Sequence, residues 1–162
     1  MIRKAQHKDI DGLENMAKLV TNDLHQRGID QWSNIYPTRH HFESDLEKNG
    51  LYVYETNGNV IGSISILDVD DDSYQTITWC CSHSQVIHRM MVDPHHLGEG
   101  VGSGLLRHAI DLIFQKGFDS IKVDTHPDNV RMKKILLAFG FQTRGYLVAI
   151  NRDAFELVLN KR

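Results

Sequence analysis

The chain has 162 residues, 41% of them apolar, with 21 acidic and 18 basic side chains and a formal net charge of −3. That length suits one domain with a substantial core, and the scattered basic residues exclude the electrostatic footprint of a nucleic-acid binder. No stretch is apolar over the length a bilayer requires, and the opening MIRKAQHKDIDG lacks the apolar run of a secretory leader, so the expectation is a cytoplasmic protein that meets a small molecule or peptide rather than a membrane.

MIRKA reads as a short first strand. Asp9 is placed to cap a helix whose apolar stripe, Ile10, Leu13, Ala17, Val20 and Leu24, recurs close to the helical period and ends near Gly28. GIDQWSNIYP follows as an irregular segment closed by Pro37, with Trp32 and Tyr36 read first as core, because large aromatics mainly serve burial. A second helix is predicted over Thr38–Lys48. LYVYE, the turn TNGN and VIGSISIL form a hairpin, since β-rich runs flank an Asn-Gly turn. The acidic DVDDDS reads as a solvated loop, with no EF-hand context for a metal. Cys80 and Cys81 are neighbours, which strains a mutual disulfide and fits no zinc spacing, so both read as free thiols.

QVIHRMMV, residues 85–92, is a further strand, ended by Asp93-Pro94. After a glycine loop, Leu105, Leu106, Ala109, Ile110 and Ile113 recur at helical spacing until Gly117, and FDSIKVDTH restores a strand. A strand, helix and strand in one sheet favour a right-handed parallel crossover. DNVRMKKILLAFGF gives a shorter helix capped by Asp128 or Asn129 and ended by Gly140. FQTRGYLVAI and AFELVLN close the chain as two strands around Asn151–Asp153. No repeat and no linker divides the sequence, so residues 1–162 read as a single domain.

Gly98, Gly100, Gly102 and Gly104 alternate ahead of the third helix. Glycines there permit positive φ and uncover successive N–H groups, which together with a helix N-terminus make a nest for an anion such as pyrophosphate. A nucleoside-triphosphate loop needs a lysine and a hydroxyl after the last glycine, where this chain has two leucines. A dinucleotide site would be served by Asp124 at the end of the next strand, yet GEGVGSG contains no G-x-G-x-x-G, so a nicotinamide oxidoreductase rests on Asp124 and the glycines alone.

VDPHHLGEGVGSGLL resembles the acetyl-CoA signature of the GNAT superfamily of N-acetyltransferases, Q/R-x-x-G-x-G/A after a strand ending in V-x-P. The register is Leu97-Gly98-Glu99-Gly100-Val101-Gly102, with Leu97 replacing the usual Gln or Arg. A second block of that family, N-x-x-A-x-x-x-Y-x-x-x-G-F, is matched by Asn129, Gly140 and Phe141 but carries Met132 for the alanine and Leu136 for the tyrosine. The closest likeness is to a bacterial group with Gln31, Trp32, Tyr36 and Pro37 before the second helix, Ile87-His88-Arg89 before the signature, and Asp124-Thr125-His126 with Asn129 after the fifth strand. The resemblance implies an α/β (α+β) GNAT fold: a mixed central sheet of about seven strands with a splayed fourth and fifth pair, and about four helices. It further implies acetyl-CoA as donor, its diphosphate on residues Leu97 to Ser103, its pantetheine arm along the edge formed by Met90, Met91 and Val92, and Asn129 assisting.

For the chemistry, the resemblance implies direct transfer to a primary amine in a ternary complex, with a strand N–H facing the thioester oxygen. His88 is the first candidate base, because imidazole titrates near neutrality and strand alternation sets it on one face with Met90 and Val92. His126 is the second candidate. Leucine at 136 cannot protonate a leaving thiolate, so water or Tyr146 is the expected substitute. Trp32 and Tyr36 are expected to wall the acceptor cleft, with Arg89 meeting a carboxylate or serving as a surface charge. His40, His41, His95 and His96 read as surface residues rather than metal ligands. Analogy adds a homodimer. The competing class is an acyl-CoA sensor that keeps the nest and lacks the chemistry.

Overall fold

A computed structural model describes residues 1–160 and contains the predicted elements in the predicted order. These are β1 (Ile2–Lys4), α1 (Ile10–Gln26), α2 (Arg39–Glu47), β2 (Leu51–Thr56), β3 (Asn59–Leu67), β4 (Ser84–Val92), α3 (Val101–Gln115), β5 (Ser120–Thr125), α4 (Val130–Ala138), β6 (Gln142–Leu147) and β7 (Arg152–Val158). Seven strands make one mixed sheet in the order β1-β2-β3-β4-β5-β7-β6. β4 and β5 pair in parallel, Ser84 to Val86 against Ser120 to Lys122, as a helical crossover between them requires. Among the described residues no helix is long and apolar enough to cross a membrane.

The chain divides into two compact units, one of Met1–Ile66 with His88–Ala109, the other of Leu67–Ile87 with the residues from Ile110 onward. In the first unit the stripe of α1 buries Ile10, Leu13, Ala17 and Leu24 beside Phe42 of α2 and Leu51 and Val53 of β2. The hairpin turn places Asn57 and Gly58 at φ 51° and 77°, the left-handed pair of a two-residue turn whose twist matches the strands. Asp9 departs from its predicted role: its carboxylate makes no cap to α1 and instead receives both terminal nitrogens of Arg3 (2.8 and 3.0 Å) and the Gln6 N–H (2.8 Å). Thr38 does cap α2, and the side chain it trades bonds with is His41, whose Nδ1 accepts the Thr38 N–H at 3.0 Å.

In the second unit Tyr74, Val86, Leu147 and Ala154 form a smaller core with Ile77 and Trp79. β7 lies between β5 and β6, so Glu156 of β7 is fully buried and satisfied from several directions: Ser120 Oγ of β5 donates at 2.7 Å, Arg144 Nε of β6 at 2.8 Å, and the N–H groups of Cys80 and Cys81 at 2.8 and 3.2 Å.

Candidate active site

The strand β4 stops where expected, at Val92, and the Asp93 side chain turns the chain by accepting the His95 N–H at 2.9 Å. Beyond one tight turn, Gly98 and Gly100 take φ of 80° and 82°, conformations that cost an L-residue dearly, and a β carbon at either would meet nothing within 4 Å. The space outside the loop is open. α3 begins at Val101, and its first closing bond runs from the Gly104 N–H to the Gly100 carbonyl at 2.9 Å. The amides of Val101, Gly102 and Ser103 therefore lack intrahelical partners and point out of the positive end of the helix. Successive outward N–H groups over open space are a cradle that fits a diphosphate.

The structure corrects the expectation that all four glycines shape this loop. Gly102 and Gly104 already lie in α3, and Gly104 serves close packing, since a β carbon there would stand 3.2 Å from the Tyr54 ring. Glu99, the one acidic residue of the loop, turns its carboxylate to His96 Nδ1 at 2.6 Å.

Upstream on β4, Arg89 is a non-glycine residue at φ 48° inside a strand. Its guanidinium grips Asp45 of α2 with two parallel bonds, Nε and Nη2 each 2.6 Å from a carboxylate oxygen, and Nη1 donates to the Tyr36 hydroxyl at 3.0 Å. The Asp45 side chain is 1% exposed and also accepts from Ser65 Oγ at 2.6 Å. Burial works against the charge on Arg89, but the paired carboxylate raises its pKa above the ordinary value. Arg89 is thus a buried, paired cation and not the free surface charge that the sequence also allowed. The His41 ring stands edge-on to Tyr36 at 4.7 Å, and burial, helped by the positive charge of Arg89, pushes its pKa down. His41 is therefore part of this cluster, against its reading as a surface residue.

Other predicted residues fall as follows. Trp32 is 6% exposed within the apolar core and so presents little of its ring to a cleft, in line with its reading as core and against a role as an acceptor wall. Met91 also packs into that core, while Met90, Val92 and His88 are half-buried. Because Arg89 leaves the extended conformation, alternation cannot be carried across it to set His88 on one face with Met90.

In the second unit His126 is 6% exposed and its Nδ1 accepts the Asp128 N–H at 3.1 Å. An accepting Nδ1 puts the proton of the neutral ring on Nε2. Asn129 caps α4 through the Met132 N–H at 3.2 Å. Leu136 is buried at 1% exposure. Tyr146 is 46% exposed with its hydroxyl donating to Asn151 Oδ1 at 2.5 Å. Asp124 accepts from the buried Tyr74 hydroxyl at 2.5 Å, and burial together with that neighbouring charge raises the phenol's pKa well above its usual range.

Sequence reasoning missed Asp45 and His41. One signal was available for Asp45: it stands three residues after Phe42 and so shares the inward face of α2, where a lone carboxylate demands a buried partner.

A sequence model of the acetyltransferase (GNAT) family matches residues 18–141. Among curated proteins none matches the chain. Similar solved structures include a GNAT-family acetyltransferase of Streptococcus agalactiae 2603, with 24% identity over 99% of this chain and 96% of that one and a TM-score of 0.88. The ribosomal-protein-S18-alanine N-acetyltransferase of Escherichia coli shares 14% identity over 100% and 95% of the two chains, with a TM-score of 0.70. N-acetylglutamate synthase of Neisseria gonorrhoeae, complexed with coenzyme A and N-acetyl-glutamate, shares 18% identity over 99% of this chain and 35% of its own, with a TM-score of 0.72.

Proposed function

The chain belongs to the GNAT family of acetyl-CoA-dependent N-acetyltransferases, and from that premise we propose that it transfers the acetyl group to a primary amine by direct attack, donor and acceptor being bound together. The observation that carries this reading is the pair of left-handed glycines, Gly98 and Gly100, opening onto free space just ahead of α3. When bound, acetyl-CoA supplies an activated thioester.

The chain's own contribution starts with main-chain amides. Those from Gly98 to Ser103 hold the diphosphate, and their grip depends on backbone shape, so Leu97 in place of a polar side chain costs little. The backbone of Met90, Met91 and Val92 lies along the pantetheine arm, and an N–H of that run directed at the thioester oxygen is worth on the order of 10² to 10³ in rate. Asn129, which caps α4 in the second unit, is the further side chain assigned to the coenzyme. His88 takes the proton that the acceptor ammonium must lose before it attacks. Leu136 offers no proton, and Tyr146 already donates to Asn151. Protonation at the thiolate end falls to water, which forgoes general-acid help of about 10² to 10⁴. A thiol with an ordinary pKa near 8.5 still leaves acceptably at neutral pH.

The alternative of a non-catalytic acyl-CoA sensor draws on Leu136 alone. Thermal-shift measurements with acetyl-CoA, CoA and NAD test the donor site, because a ligand at a hundred times its Kd stabilises by about 2.7 kcal/mol. Acetyl-CoA and CoA should raise the melting temperature and NAD should leave it unchanged. Thiol release with a panel of amines then separates enzyme from sensor.

A further inference from the structure

We propose that the acceptor of this enzyme carries a carbonyl or carboxylate oxygen beside its amine, as an α-amino acid or a peptide N-terminus does, and that the Tyr36 hydroxyl, polarised by Arg89, reads that oxygen. The inference rests on the transferase reading above and narrows its substrate class.

A guanidinium has five N–H groups and no acceptor atom, so in the 3.0 Å contact with Arg89 Nη1 the Tyr36 oxygen must accept. Its own hydrogen then points elsewhere, and among the described residues no side chain or carbonyl takes it. A phenol that accepts from a cation is a stronger donor through its remaining hydrogen. Arg89 spends three N–H groups, two on Asp45 and one on Tyr36, which leaves two more donors beside the phenol. Asp45, the carboxylate paired with Arg89, is 1% exposed and takes both Arg89 bonds as well as Ser65 Oγ. What faces outward from the half-buried Tyr36 is therefore a cluster of hydrogen-bond donors. An oxygen lone pair would find up to three donors there, whereas an ammonium would find the one remaining lone pair of the phenol oxygen and would be repelled by the charge on Arg89.

Position completes the case. Arg89 directly follows His88 on β4, the residue proposed to take the acceptor's proton, and an acceptor held by both requires the two side chains to face one cleft. An acceptor that spans them needs its amine and its oxygen close together. Diamines and polyamines, which offer only further ammonium groups, fail that requirement. The left-handed backbone at Arg89 and the bidentate grip of Asp45 fix where the guanidinium stands, so the donors are preorganised rather than recruited.

The test pairs each acceptor with the amine that lacks its carboxyl or carbonyl group: phenylalanine with phenethylamine, lysine with 1,5-diaminopentane, and an alanyl dipeptide amide with ethylamine. Coenzyme release is followed at saturating acetyl-CoA for the parent and for Tyr36→Phe, which keeps the ring and removes the donor. The parent should favour the oxygen-bearing member by roughly 10- to 100-fold in kcat/KM. Tyr36→Phe should lose about that factor on the oxygen-bearing acceptors alone, mostly through KM, while the KM for acetyl-CoA stays near the parent value. Equal or better turnover of the amines that lack the oxygen overturns the proposal, as does a Tyr36→Phe loss that falls evenly on both members. Absence of thiol release from every acceptor, with acetyl-CoA still raising the melting temperature, overturns the transferase reading and this one with it.

Discussion

Asp45 and Arg89 show how much one buried pair can set. Two charges leave water, and the cost is met by two 2.6 Å bonds between them and by Ser65 and Tyr36 at the periphery. Removing one partner strands the other, so Asp45→Asn should lower stability by about 3 to 5 kcal/mol, measured by urea unfolding with an unchanged m-value. A smaller loss would mean that water reaches Arg89 and screens it. The pair was not legible in the sequence: helical periodicity placed Asp45 beside Phe42, but nothing in QVIHRMMV announces that its fifth residue leaves the extended conformation.

At the scale of elements, prediction succeeded wherever glycine, proline and apolar spacing agreed. α1, the β2–β3 hairpin and the end of β4 came out as the pattern required. The start of α3 did not, because four alternate glycines look like loop while Gly102 and Gly104 are helical, Gly104 for close packing against Tyr54. Gly62 of β3 is the mate of that packing: a β carbon there would lie 2.8 Å from Val101 Cγ1, 3.1 Å from Leu105 Cδ1 and 3.1 Å from the Met91 carbonyl. Gly62→Ala should therefore cost about 1 to 3 kcal/mol by overpacking, seen as a fall in melting temperature. If instead α3 yields without cost, the expected consequence is weaker acetyl-CoA binding, since the first turn of that helix carries the nest.

At the scale of the whole molecule, the order of elements was readable because short, well-punctuated segments follow one another, and the signature block pointed to the family. The buried polar joints were not readable, being long-range. Glu156 is one of them. Burial pushes its pKa up, but Ser120, Arg144 and the amides of Cys80 and Cys81 outweigh that and hold it below the ordinary value. A depressed folded pKa contributes stability that is complete above the unfolded value, near 4.3, and is lost as the pH falls through the folded one. The melting temperature should stay level from pH 7 to about 5 and decline below about 4. Glu156→Gln should be the less stable chain at pH 7, with the gap to the parent narrowing in acid.

The same joint has a practical corollary. Cys80 and Cys81 hold Glu156 through main-chain N–H groups at 2.8 and 3.2 Å, while the Cys81 sulfur reaches the Asp119 carbonyl at 3.9 Å and neighbours Cys80 and Ser120. Oxygen can stand in for sulfur at both positions without touching that grip. As these are the only two cysteines in the chain, a double serine version would be blind to chromogenic thiol reagents, and every colour change in the cuvette would then count a molecule of liberated coenzyme.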